Sequence, residues 1–358
     1  MVIRAGSSPV TRTILIDASA SIFFGEFMDK VFLGTLSPVI MLMLFMTIGF
    51  VIRKVNIVPQ NSSSTLAKIE TWVFCPALAF VSLANSFSVE TLSLHATNIA
   101  FSGVLLFLSI LLGAFLCGFF VKEKSYERNI YRYAIIFANF GYMADPLVEA
   151  LFGINVLGTY KVFTLIWSIA IYVWATGTLI PDGEDNKNPI LKLLNPPLIA
   201  TLLGMVVGIT GSVGLIPDFI MDTLNSLKAC MGPVAMIIAG ITIANYNIVE
   251  LISNKKIYIM TLLRLVILPV FLIAALIGLR ALLNNVFTLE IGTEPIYLAF
   301  FACAMPLGMN TVVFPEAYGG DPKPGASMAL VSSIFSIITI PLFYALLTLI
   351  LESPFPII

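Results

Sequence analysis

Two short stretches of this sequence place hydrogen-bonding side chains inside apolar surroundings. In 131–153 (YRYAIIFANFGYMADPLVEALFG) these are Asn139, Gly141, Asp145 and Pro146, and in 296–319 (IYLAFFACAMPLGMNTVVFPEAYG) they are Pro306, Gly308, Asn310 and Thr311, with Pro315 beyond. An asparagine amide donates to a carboxylate and accepts from an ammonium. Two of them suit binding of a small polar solute, and the bland alternative is that they satisfy freed backbone groups. Proline removes a backbone donor and clashes with the preceding turn, so each stretch reads as an interrupted helix whose N-terminal N–H groups favour an anion. The spacing of Pro306 and Asn310 predicts a half-helix starting near Pro306 with Asn310 one turn inward. Asp145 has two compatible readings. It handles substrate, a proton or a cation, or it caps a half-helix beginning at Pro146.

The chain that must position these residues has 358 of them, 59% hydrophobic and 11% charged, with mean hydropathy +1.00. Soluble proteins carry roughly 25% charged residues, so the fold class is all-α integral membrane. Apolar stretches long enough to cross a core about 30 Å thick fall near 33–53, 65–87, 98–121, 131–153, 158–180, 190–211, 219–244, 257–280, 294–317 and 326–350. The polar connections leave no room for a soluble domain, and no phosphate-cradling G-x-x-x-x-G-K-[ST] run occurs; both count against an ATP-driven pump and a signalling receptor. Cys75, Cys117, Cys230 and Cys303 are scattered without C-x-x-C spacing, and His95 is the single histidine. A metal site or a Ser-His hydrolase therefore has no donor set, the chain is not read as an enzyme, and no cofactor is expected. A net charge of −1 gives no sign of a nucleic-acid partner. Residues 1–27 read as an N-terminal extension of uncertain status ahead of Met28, which looks like a natural start.

The polar run DGEDNKN divides the spans five from five: a first repeat over 28–181, a connection at 182–189, and a second repeat over 190–352. VPQNSSSTLAKIETWVFCPALAFVSLAN at 58–85 lies against IPDFIMDTLNSLKACMGPVAMIIAGITIAN at 216–245, with Pro59 opposite Pro217 and Pro76 opposite Pro233. Because five is odd, the second copy enters the membrane from the other side, giving an inverted repeat with interrupted segments at matching fourth and ninth places. Such a pair points to a transporter binding site. Lys and Arg concentrate on one side, including Arg53, Lys54, Lys122, Lys124, Arg128, Arg132, Lys255 and Lys256. The positive-inside rule then puts 182–189 in the cytoplasm and both termini outside, in a multi-pass protein of the cell membrane.

ANFGYMADPL at 138–147, AMPLGMNTVVFPEAYGGD at 304–321, ASMALVSSIFSIITIPLF at 326–343 and LLNPPLIATLLGMVVG at 193–208 resemble the auxin efflux carrier family. That family includes plant auxin carriers and bacterial permeases for acids such as malate and malonate. The resemblance covers about 28–351. It implies ten transmembrane helices in two inverted five-helix repeats, with helices 4 and 9 broken and crossing. It further implies a scaffold of spans 1, 2, 6 and 7, with spans 3–5 and 8–10 moving against it in an elevator-like manner. It carries substrate-carboxylate contact over to Asn139 and Asn310, and it allows a homodimer through the scaffold. Asp145 departs from the small or apolar residue expected at its place and would repel an anion unless protonated or paired.

Three further ionisable residues form an auxiliary set. Glu70 and Lys228 fall opposite each other in the repeat alignment and are read as snorkelling to the nearer surface, with a cavity-facing role as the alternative. Arg264 is deeper and is read as neutralising a substrate anion or Asp145, or as bonding backbone carbonyls. The expected function is a secondary carrier of a small organic acid, with membrane lipid around it and a small-molecule, carboxylate-bearing partner. The alternative is a proton- or sodium-coupled carrier of a cationic or zwitterionic solute, and a channel or membrane scaffold ranks below both.

Overall fold

A bilayer gives backbone groups no water to bond, so an apolar chain crosses it as helices that satisfy themselves. The computed structural model of this chain, which describes residues 36–181 and 196–351, is helical almost throughout. The expected extension at 1–27 and connection at 182–189 lie outside the described residues. In chain order the main helices are α1 (Leu36–Lys54), α2 (Ser62–Ser86), α3 (Ala96–Phe120), α4 (Tyr126–Ile136), α5 (Ala144–Phe163), α6 (Leu165–Ala175), α7 (Pro196–Thr210), α8 (Asp218–Ala244), α9 (Lys255–Phe287), α10 (Glu294–Cys303), α11 (Asn310–Tyr318) and α12 (Lys323–Ile350). Six of them (α1, α2, α3, α8, α9 and α12) are long and apolar enough to cross a membrane. Among the described residues there is no strand, and the one extended pairing is an isolated bridge between Ala138 and Leu307.

The expected fifth span is not one straight helix. It divides between α5 and α6, with the segments Asn155–Phe163 and Leu165–Ala175 bent by 48°. Thr164 leaves the helical region there, and its hydroxyl donates back to the Tyr160 carbonyl at 2.9 Å. Back-bonding of this kind bends helices. Ser102 of α3 donates to the Phe163 carbonyl at the bend. A second irregularity sits inside α5 at Gly153, whose φ of 80° only glycine adopts readily.

Two close crossings join the first and second halves of the chain. Gly49 of α1 and Gly240 of α8 face each other's backbones, where a Cβ on Gly240 would overlap the Met46 carbonyl. Gly204 and Gly208 of α7 lie on α2, each with a prospective Cβ 2.7 Å from a carbonyl oxygen of Phe80 or Leu83. Lipid supplies no hydrophobic drive between helices, so close backbone approach at small residues holds such pairs together. By contrast α10 and α11 are buried along nearly their whole length, while Phe107, Phe115, Phe119, Phe271, Ile338 and Leu349 lie exposed on α3, α9 and α12. The chain is an all-helical integral membrane protein with its most buried helices at the centre and apolar side chains outward.

Gly240→Ala should lower the unfolding temperature in detergent, at an overpacking cost of about 1–3 kcal/mol. Gly278→Ala, where a Cβ meets nothing within 4 Å, should leave that temperature unchanged. Equal melting of both variants would remove the close-crossing argument.

Candidate functional site

The helices around the two interrupted stretches stop short of one another. Residues 137–143 separate α4 from α5, and 304–309 separate α10 from α11. The two gaps meet. Ala138 and Leu307 form the antiparallel bridge, and the Asn139 N–H donates to the Pro306 carbonyl at 2.9 Å. The Leu307 N–H donates to Ser332 Oγ of α12 at 3.2 Å. Each break thus gives the other some of the partners that a continuous helix would have provided. Gly308 sits at the closest approach, where a Cβ would lie 3.2 Å from the carbonyl oxygens of both Phe137 and Ala138.

The carbonyl ends of α4 and α10 have one shared partner. Arg264, 1% exposed, donates through Nη1 to the Ile135 carbonyl at 2.9 Å, through Nε to Met305 at 3.3 Å, and through Nη2 to Cys303. It is carried by the π-helical segment Leu263–Ile267 within α9, two residues before Pro269. The proline ring crowds the turn before it, and a widened π turn accommodates that crowding. A cation is favourable at helix C-termini. Among the described residues, Arg264 bonds to carbonyls of the crossing and to no carboxylate, so the reading of Arg264 as a neutraliser of substrate or Asp145 gives way to that of a backbone ligand.

On the other side of the breaks a small cavity of about 50 Å³ is lined by Tyr133, Asn139, Gly141, Tyr142, Lys161, Ser168, Tyr172, Gly308 and Asn310, with apolar walls from Leu78, Leu83 and Met231. Asn310 is held between two phenols: its Nδ2 donates to Tyr133 at 2.7 Å, and its Oδ1 accepts from Tyr142 at 3.0 Å. Asn139 is 1% exposed, and neither atom of its side-chain amide has a hydrogen-bond partner among the described residues. A buried polar group left in that state costs roughly 1–3 kcal/mol, which is strong reason to expect a ligand or water beside it.

Gly141, Tyr142 and Lys161 also belong to the wall of a second, wider cavity of about 450 Å³, which adds Asp145, Pro146, Glu149, Asn225 and Lys228. Asp145 is ion-paired with Lys161 through one oxygen, and its other oxygen is buried without a partner among the described residues. The pair answers the repulsion that a lone Asp145 would exert on an anion. Asp145 does not act as the expected cap. It lies inside the first turn of α5, after Met143 at the cap position, and its bonded oxygen goes to Lys161.

Of the eight predicted site residues, Asn139, Gly141, Gly308 and Asn310 line the small cavity, while Asp145 and Pro146 line the wider one. Pro306 and Thr311 line neither: Pro306 gives its carbonyl to Asn139, and Thr311 donates to the Gly308 carbonyl at 2.9 Å. The half-helix predicted to start near Pro306 begins instead at Asn310, because Leu307 is extended in the bridge. Lys228 faces the wider cavity, with Lys161, Asp145 and Glu149 as its charged neighbours. Glu70 does not snorkel. Its side chain is fully buried and both carboxyl oxygens lack a partner among the described residues.

A family model described as membrane transport protein matches residues 35–190 and 185–344. The chain belongs to the membrane transport protein family. This is the family of the auxin efflux carriers, and the resemblance seen in the sequence is borne out. An uncharacterized transporter of Methanocaldococcus jannaschii is 23% identical, the match covering 85% of this chain and 96% of that one. An uncharacterized transporter of Methanothermobacter thermautotrophicus is 24% identical, covering 88% of this chain and all of the relative. Membership of this family points to transport rather than enzymatic chemistry.

Three residues of the candidate site escaped the sequence reading. They are Lys161, Tyr133 and Tyr142, none of which the sequence reading singled out. The position of both tyrosines beside the interruption was the available signal. Arg264→Met should lower the unfolding temperature sharply, since each lost bond to a charged donor costs about 1.5–3 kcal/mol. Arg264→Lys should recover only part, because an ammonium lacks the planar fork. Full stability of Arg264→Met would show that the carbonyls find other partners.

Proposed function

We propose that this protein is a secondary carrier for a small organic acid, working by alternating access around the crossing of the two interrupted helices. The observation that carries this reading is the Asn139 amide, buried and without a partner among the described residues, in a cavity it shares with Asn310. A carboxylate there accepts from Asn139 Nδ2, from Asn310 Nδ2 and from the Tyr142 hydroxyl, while Lys161 at the cavity wall supplies positive charge. The cavity has room for only about three waters on the usual measure, so the bound state requires some opening.

The finer architecture belongs to the same proposal: ten spans in two inverted repeats, with α4–α5 and α10–α11 as the broken fourth and ninth. The glycine-lined crossings of α1 on α8 and of α2 on α7 support a scaffold made of spans 1, 2, 6 and 7, against which the remaining helices move. A homodimer through that scaffold, the cell membrane as location, a cytoplasmic 182–189 connection and external termini complete the proposal. The rival solute, cationic or zwitterionic, is favoured by the unpartnered second oxygen of Asp145. The pairing of Asp145 with Lys161 makes the anion the better reading.

A thermal-shift screen of the purified protein against dicarboxylates, amino acids and indole acids, at two pH values and with or without sodium, should show stabilisation by a carboxylate. Stabilisation by amines alone would reverse the choice of solute. Asn139→Ala should keep the wild-type unfolding temperature, having no bond to lose, yet reduce uptake of the stabilising acid about tenfold or more, the equivalent of one charge-assisted bond. Asn310→Ala should lower both, because it also strands Tyr133 and Tyr142. Undiminished uptake by Asn139→Ala would sink the assignment of the site.

A further inference from the structure

Glu70 is the titratable group that the substrate site leaves unused. It opens the π-helical segment Glu70–Phe74 within α2, two residues before Pro76, and its side chain is 0% exposed. Neither carboxyl oxygen has a hydrogen-bond donor among the described residues. An acid in the membrane interior without a cation or a donor is expensive to maintain and marks function by default. π segments, too, occur frequently at functional sites.

Among the described residues no cation meets it: Lys68, on the same helix, is exposed. The titratable groups close enough to interact with it are Cys75 on α2, Tyr142 in the first break and Tyr172 on α6. The segment packs against α7, α8 and α11. Helix α7 has no titratable residue. On α8, Lys228 is directed to Asp145, Lys161 and Glu149, Cys230 is exposed, and Asp218 and Asp222 lie in the first two turns. On α11, Glu316 accepts from Thr242 at 2.7 Å, and Tyr318 interacts with Cys75. Thr71, beside Glu70, has its hydroxyl tied to the Ala67 carbonyl, so it offers a metal cation little.

These neighbours lead to the substrate site. The Tyr142 hydroxyl lies 3.9 Å from the Cys75 sulfur and donates to Asn310. We propose that Glu70 is a proton-binding site that couples solute movement to a proton gradient. This rests on the carrier reading above. Glu70 takes a proton from water on one side of the membrane and returns it on the other; only its O–H bond forms and breaks, and the solute is unchanged. An anion bound at Asn310 and Tyr142 adds negative charge on the tyrosine side of Glu70, so the anion and the proton favour each other's binding, and that coupling is reciprocal. Because Glu70 sits on α2, in the part assigned to the scaffold, and faces α11 of the crossing, movement of one past the other changes its exposure to water.

The test uses wild type and Glu70→Gln reconstituted in liposomes, with labelled malonate as the probe in sodium-free buffer. Wild type should accumulate malonate when a pH gradient is imposed. Glu70→Gln should exchange internal for external malonate within about twofold of wild type but no longer accumulate it. Accumulation retained by Glu70→Gln, or driven in wild type by a sodium gradient and not by protons, would overturn the proposal. A second readout needs no substrate: infrared spectra of the purified proteins recorded between two pH values should contain a protonated-carboxyl band that Glu70→Gln lacks. An identical band in both proteins overturns the proton site even if malonate is not carried or the variant exchanges poorly. If the band is lost in the variant but no acid is taken up by wild type, the proton site stands and the carrier reading fails.

Discussion

One guanidinium supports the crossing on which the rest of the structure depends. Two helices that stop inside a bilayer leave carbonyls with no intrahelical partner, and lipid cannot supply one. Arg264 reaches the ends of both α4 and α10 from a third helix, so a single buried charge fixes where two chain breaks lie relative to each other. Its fork geometry suits several acceptors at once, which an ammonium does not. The short backbone bridge at Ala138 and Leu307 then sets the register of one break on the other. The cavity residues inherit their positions from these two constraints.

The arrangement separates charge by function. Positive charge at the helix C-termini is committed to backbone. At the beginnings of α5 and α11, the neighbouring side chains are amides, phenols and the Lys161–Asp145 pair. Neither helix start has a side-chain cap, and their first N–H groups turn back onto the breaks instead, Ala144 to the Asn139 carbonyl and Thr311, Val312 and Val313 to those of Gly308 and Met309.

Much of this was legible in the sequence because membrane burial writes a coarse code. The apolar runs located the helices, and the Gly, Pro and Asn clusters located both breaks to within a few residues. Residues defined by backbone interruption, such as Asn139 and Gly308, were therefore found. Those defined by what lies across the cavity were not. Lys161 pairs with a residue 16 positions away, across the non-helical turn at Gly153 inside α5, and the local pattern does not say that the two charges meet. The π segments at Glu70 and Arg264 are likewise set by a following proline together with tertiary packing, because Pro233 and Pro341 sit in helices without one. Local pattern finds where a helix must fail. Which partner the failure serves is decided by residues from other helices.

The two asparagines differ in a way that matters for a carrier. Asn310 already has two phenol partners, so a solute replaces bonds there and gains little net energy. Asn139 has none, so its contact is almost wholly gained. Like Asn310, Lys161 already holds a partner, Asp145, so Asn139 is the main net contributor, at about 1.5–3 kcal/mol for a charge-assisted bond before ordering costs. A net gain of that size keeps binding weak, which suits a site that must release its solute on the far side. A pocket with both amides unpartnered would bind more tightly and release more slowly, so the phenol clamp on Asn310 favours turnover over retention.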